Sequence, residues 1–446
     1  MTGTSEQRGQ LLADINRVEQ DLFTGPAWLR DLRRKAAELF AQLGLPNTRN
    51  EDWKYTDVAP IGRIRFSPGA STIPRLGFQD LEITTLTKAA FQRRLVFING
   101  RYSAELSALP HPGGSVVAKS LAHALSDGDE RVRNHLGHYA ALDQGAFVAL
   151  NAAMFRDGAL IVIPAGEIVA EPIHMVFVSV PSDEPLISHP RNLLIAGKQC
   201  QAVFIEEYIS VAPGVHFTNP VTELVVGEEA VVHHYKLQTE SWDAFHIACI
   251  QAVQHRSSNL VSHNFVLGGA LARNDIHTVL DAEGAECTLN GLFLAGGAQH
   301  FDNHTAIDHA KPNCLSRELY KGILSGRSRG VFNGKIIVRK DAQKTNALQS
   351  NKNLLLSEDA VINTKPQLEI LADDVRCTHG ATIGQLDAEA LFYLRSRGIT
   401  QAEARNLLTY AFANEILDRI HVEGLKENLE RALFRRLTEV MGGNRL

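Results

Sequence analysis

The chain has 446 residues, 44% hydrophobic and 21% charged, and its 45 Lys+Arg against 50 Asp+Glu give a net charge of −5. That length predicts two or three domains, and the mild acidity excludes the basic footprint of a nucleic-acid binder. No apolar run approaches the roughly 20 residues needed to cross a bilayer. The polar stretch Met1 to Asp21 holds no signal-type apolar segment, so a cytoplasmic protein is expected.

Pro26 suits a first helical turn. Leu29, Leu32, Ala36, Leu39, Phe40 and Leu43 then recur at helical spacing until Gly44 and Pro46 stop the helix. Leu95-Val96-Phe97-Ile98 reads as a strand turned back by Asn99-Gly100, a strong hairpin signal. From about Ala146 to Gln385 short β-branched and apolar runs recur, among them Ala159–Ile163, Val231–Tyr235, Cys287–Leu294 and Leu354–Leu356. So many short strands suit a sandwich, a barrel or a stacked β-solenoid. The solenoid leads, because its rungs of roughly 20–30 residues need no exact repeat. Asn290, Asn333, Asn346, Asn351 and Asn363 are expected at its turns, since Asn tolerates left-handed backbone. Asp387 to Arg397 reads as a short helix stopped by Gly398, and Thr400 with Glu403 forms a capping box. Two apolar stripes follow: Leu407, Leu408, Ala411, Phe412, Ile416, Leu417 and Ile420, then Leu425, Leu429, Leu433 and Leu437. The predicted layout is an N-terminal helical or mixed domain (1–145), a β core (146–385) and a C-terminal helical domain (386–446).

Five cysteines (Cys200, Cys249, Cys287, Cys314, Cys377) form no CxxC pair, which excludes a zinc knuckle and a ferredoxin-type motif. Most should be small buried hydrophobes. Cys377-Thr378-His379 is the sharpest local feature. In a strand the thiol and imidazole would share one face, about 7 Å apart at their roots, and both can ligate iron or zinc. Two ligands cannot close a site, and a buried Cys beside a hydrogen-bonding His is the commoner arrangement. His300, His304 and His309 lie in a strand-like run that separates the first two by roughly 13 Å, so one metal held by this segment alone is not expected. His233 and His234 would face opposite ways. Arg317, Lys321, Arg327 and Arg329 read as a charged, solvated strand edge; the other reading is a seat for an acidic partner or a flavin phosphate. No phosphate-binding loop and no GxSxG elbow occur.

Longer runs carry a resemblance. Ser316-Arg317-Glu318-Leu319-Tyr320, Val331-Phe332-Asn333-Gly334-Lys335-Ile336 and Ala342-Gln343-Lys344-Thr345-Asn346 resemble the SufB/SufD family of iron–sulfur cluster assembly scaffold proteins. So do Gln349-Ser350-Asn351-Lys352-Asn353-Leu354 and Pro366-Gln367-Leu368-Glu369-Ile370. The run from Asp374 through Cys377-Thr378-His379-Gly380 to Gly384, continued by Leu391-Phe392-Tyr393-Leu394-Arg395-Ser396-Arg397-Gly398, is similar to the SufD branch of that family. The resemblance is dense from about Asp275 to Ile399 and extends weakly to Glu51-Asp52-Trp53-Lys54-Tyr55-Thr56.

It implies a right-handed parallel β-helix core flanked by N-terminal and C-terminal helical domains, in a non-catalytic scaffold subunit. It also implies pairing with SufB through the β-helices and docking of the ATPase SufC on the C-terminal helices, with ATP bound by that partner. His379 matches a histidine that works with a cysteine on SufB, and Cys377 lies beside it. A nascent Fe–S cluster or iron would then be held at the shared interface, and reduced flavin is associated with such complexes. A homodimer of the chain alone is left open. Two rivals are a secreted-type β-helix carbohydrate enzyme and a self-contained metal protein built on His300–His309. The first conflicts with the missing export signal and the scattered carboxylates.

Overall fold

The structure, a computed structural model, describes residues 25–68, 76–87, 93–109 and 114–442; the segment Met1 to Asp21 lies outside them. The first described helix, Ala27–Leu43, starts after Pro26 and ends at Gly44, whose φ of 63° only glycine adopts without cost. Leu29, Ala36 and Phe40 form its buried face, and Leu43 is exposed. Phe40 and Ala36 pack against the wholly buried helix Ala146–Met154. The predicted hairpin is present: Arg94–Ile98 pairs antiparallel with Arg101–Tyr102, and Asn99 and Gly100 both take positive φ.

The core is a parallel β-helix of about eight turns. Each coil contributes one strand to each of two sheets, of ten and eleven strands. In the ten-stranded sheet, register aligns Val231, Asn259, Glu286, Leu315, Asn346 and Arg376, one residue per coil at intervals of 27 to 31 residues. Alternate residues of every strand face the lumen, and stacking joins like positions into columns about 4.8 Å apart. The repeat keeps a backbone shape more than a residue type, so no clean period shows in the sequence.

Strands also occupy Leu271–Leu280, Leu315–Leu324 and Val361–Ile370, where apolar runs are weak. Their lumen positions take polar residues that bond to the next coil, as Glu318 of Leu315–Leu324 does by accepting from Gln349. The expected asparagines therefore sit inside strands: Asn290 and Asn351 are buried mid-strand residues, and Asn346 opens a strand. The left-handed corner is instead held once per coil by Gln199, Glu229, Ser257, Gly284, Asn313 and Lys344. Each of these donates its N–H to a carbonyl of the next coil, as Asn313 does to Gln343 and Lys344 to Asp374. That bond, with no change of side chain, offsets the left-handed backbone.

The basic run is not a sheet edge. Leu315–Leu324 lies between two paired strands. Lys321 is buried, with Nζ 2.7 Å from the Phe412 carbonyl and 2.5 Å from Glu415. Only Arg317, Arg327 and Arg329 of that run are exposed.

Helices Ala388–Ser396, Gln401–Leu417 and Leu425–Gly442 follow the last coil. Thr400 and Glu403 form the predicted capping box, and Asp387 caps the helix before it. Leu425, Leu429, Leu433 and Leu437 pack with Ile416 and Leu417 onto Tyr235, Leu237, Phe265, Leu292, Leu319 and Ile323 of the ten-stranded sheet. The buried face of Gln401–Leu417 is Ala404, Thr409, Ala413, Ile416 and Leu417, so Leu407 and Ala411 of the predicted stripe point outward.

Candidate functional site

The strand Arg376–Gly384 closes the ten-stranded sheet. It pairs in parallel with Asn346–Leu355, Cys377 beside Ala347 and His379 beside Gln349. Ala347 and Gln349 are buried lumen residues, so both Cys377 and His379 sit on the lumen side of the last coil. The free edge of this strand has no partner among the described residues, and neither has that of Val361–Ile370 in the other sheet. The helix thus ends in an uncapped coil.

Hydrogen-bond direction sharpens this. Arg376 N–H bonds the Thr345 carbonyl and Val361 N–H bonds the Ser328 carbonyl. Alternation in a parallel strand then turns the N–H groups of Cys377, His379, Ala381 and Ile383 toward the open edge. On the other strand the same alternation assigns the open side to Pro366, which has no N–H to leave unsatisfied.

The two candidate ligands differ in surroundings. Cys377 packs partly against Ile336, Val338, Ala342, Ala347 and Ala372, and burial pushes its thiol above the usual value. It is protonated at neutral pH until a metal or base takes the proton. His379 is exposed and makes no hydrogen bond to another described residue.

Behind His379 the same lumen column continues to Gln349 and then Glu318. Gln349 Nε2 donates to Glu318 Oε2 at 2.6 Å, and burial pushes the Glu318 carboxyl up to about 7. Gln349 fits because Gly334 lies opposite: a Cβ there would stand 2.3 Å from Gln349 Nε2. Sequence reasoning did not select Glu318 and Gln349. Their signal is the register itself, which aligns Ser316-x-Glu318, Ala347-x-Gln349 and Cys377-x-His379.

The other histidines are not brought to this site. His300 bonds Thr56 Oγ1 at 2.8 Å, His304 lies 3.0 Å from Asp302, and His309 bonds Ser316 at 2.9 Å. His234 is a lumen residue bonded to Glu206 and Ser262, whereas His233 faces outward, as alternation requires. Among the described residues no group of three or more His, Cys, Asp or Glu side chains is placed to hold a metal. Cys200, Cys249, Cys287 and Cys314 are free and buried.

Residues 178–412 match the family described as "SUF system FeS cluster assembly, SufBD core domain", and residues 16–175 match "SufBD protein N-terminal region". The chain belongs to the SufBD family. It is 34% identical to the iron–sulfur cluster assembly protein SufD of Escherichia coli, over 88% of this chain and 90% of that one. An iron–sulfur cluster assembly SufBD family protein of Synechocystis is 35% identical over 90% of this chain and 89% of its own. SufD of Bacillus subtilis is 25% identical over 92% and 94%. The chain is therefore an iron–sulfur cluster assembly protein with SufD-type relatives. That membership sets the carbohydrate-enzyme reading aside.

No helix among the described residues is long and apolar enough to cross a membrane.

Proposed function

We propose that this SufBD-family chain is a non-catalytic scaffold subunit that completes a cluster-assembly site only with a partner. The partner is a SufB-type chain joined through the terminal coils, and the cargo is iron or a nascent Fe–S cluster held at that junction. His379 supplies one ligand and Cys377 a second, weaker one; the partner supplies the rest. The uncapped last coil supports this reading: two strand edges without a partner among the described residues flank a lumen mouth that holds Cys377 and His379. A parallel edge with outward N–H groups accepts another strand readily. Exposed Leu371, Ile383 and Phe392 around it are surface that pairing would bury.

The proposed units are 1–145, the β-helix 146–385 and the helical unit 386–446, with the strand Arg94–Ile98 lent by the first unit to the sheet of the second. The helical unit docks the SufC ATPase, and the complex works in the cytoplasm. In isolation a second copy on the same edges gives a homodimer. Reduced flavin is a further ligand of the complex, with no residue of this chain assigned to it.

Anaerobic co-expression with SufB and SufC tests the proposal. The wild-type complex should show the visible absorbance of an assembled cluster, and His379→Ala should lose it while recovering the same amount of SufB. Equal cluster content in both would overturn the role of His379.

A further inference from the structure

Away from the terminal coil, an open cavity of about 630 Å³ lies beside the segment that follows helix Gln401–Leu417. Its wall on the sheet side is one outward-facing register column, His233, Val261, Thr288, Arg317 and Leu348, contributed by five successive coils. Arg419 and His421 complete it from the helical side.

The charge in this cavity is one-sided. Two guanidinium groups and two imidazoles line it, and among the described residues no carboxylate does, in a chain whose net charge is −5. Cations nearby are neutralised: Lys321 and Lys352 share Glu415, and Lys426 pairs with Asp418. Among the described residues Arg419 bonds a neutral acceptor only, Asn290 Oδ1, at 2.9 Å. Arg317 is exposed and has no ion pair or side-chain hydrogen bond among the described residues. His233 Nδ1 is buried without a hydrogen-bond partner. A solvated salt-bridge surface would interleave signs; here the positive groups converge on a concave space and stay unpaired.

We propose that this cavity binds a small phosphate-bearing molecule. Arg317 and Arg419 clamp the phosphate oxygens, since the planar guanidinium fork matches phosphate and each such bond is charge-assisted. Thr288 and His233 add neutral hydrogen bonds. Val261, Leu315 and Leu348 give an apolar strip for the carbon part of the ligand, and the volume is that of an ordinary small-molecule site. A doubly charged phosphate suits two unpaired guanidiniums better than a monoanionic carboxylate.

Calorimetric titration of the full-length chain with pyrophosphate at fixed ionic strength tests this. Saturable one-to-one binding is expected, weakened about tenfold or more by Arg317→Gln or Arg419→Gln. Arg327→Gln, an exposed cation outside the cavity, should leave binding unchanged. Arg419 also holds Asn290, so its variant is read only with an unchanged thermal melt. Arg317→Gln breaks no hydrogen bond or ion pair among the described residues and decides by itself. Absence of saturable binding, or equal losses in Arg317→Gln and Arg327→Gln, would overturn the proposal.

Discussion

At His379 the imidazole stands exposed, while two residues earlier Cys377 is tucked into an apolar cluster with its thiol proton held by burial. Exposure without partners means that His379→Ala removes the proposed ligand and little folding energy, within about 0.5 kcal/mol. Thermal unfolding should therefore coincide with wild type even where cluster absorbance is lost. Glu318, deeper in the same column, behaves differently. Its folded carboxyl holds the proton up to about pH 7, against 4.5 ordinarily. An unfolded carboxyl releases earlier, so between those values the folded state binds more protons and stability falls as pH rises. Glu318→Gln keeps an acceptor for Gln349 and removes the ionisation. Its thermal midpoint should gain on wild type between pH 5 and pH 8, by a margin worth about 3 kcal/mol at most. A gap that does not widen with pH would show that Glu318 ionises normally.

The two terminal strands differ at their open edges. Ala381 has its N–H on the open edge of Arg376–Gly384, away from the bonds to Asn346–Leu355. Ala381→Pro should leave the monomer's fold intact, because the existing ladder loses no donor. It should reduce recovery of SufB in a pull-down, since one edge donor is gone and the ring blocks close approach. Unchanged recovery would separate SufB pairing from this edge. Pro366 on the opposite strand already occupies the equivalent outward position, so that edge is the less able of the two to extend the sheet.

Across the whole molecule the C-terminal helices have two faces, and the proposed SufC docking falls on the outer one. One face covers apolar residues of the ten-stranded sheet, so deleting everything after Gln385 would uncover Leu292, Leu319 and Ile323 along with removing the helices. Loss of SufC in that truncation would not distinguish docking from misfolding. Leu407 and Phe434 face outward and are about half exposed. Leu407→Glu with Phe434→Glu should abolish SufC co-purification while leaving the circular dichroism melt unchanged. Retained SufC would count against docking on this outer face.

Several features were legible in the chain because they depend on neighbours in sequence. The helix Ala27–Leu43 ends where Gly44 supplies positive φ, the hairpin turns at Asn99-Gly100, and Thr400 with Glu403 opens a helix, all as local chemistry requires. Alternation also correctly sent His233 and His234 to opposite faces and set Cys377 and His379 on one. Other features were settled only by stacking residues about 30 apart. Coil register decides that the Cys377–His379 face is the lumen face, that Gln349 and Glu318 lie behind it, and that Gly334 makes room for Gln349. The same register set Arg317 and Lys321 in a mid-sheet strand instead of on an edge, and gathered Arg317 with His233 from three coils away. Sequence alone could place the helix stops, the hairpin turn and the shared face of Cys377 and His379, since those are properties of residues and short segments. Which side chains become neighbours across coils depends on the length of every intervening turn, and only the folded stack fixes that.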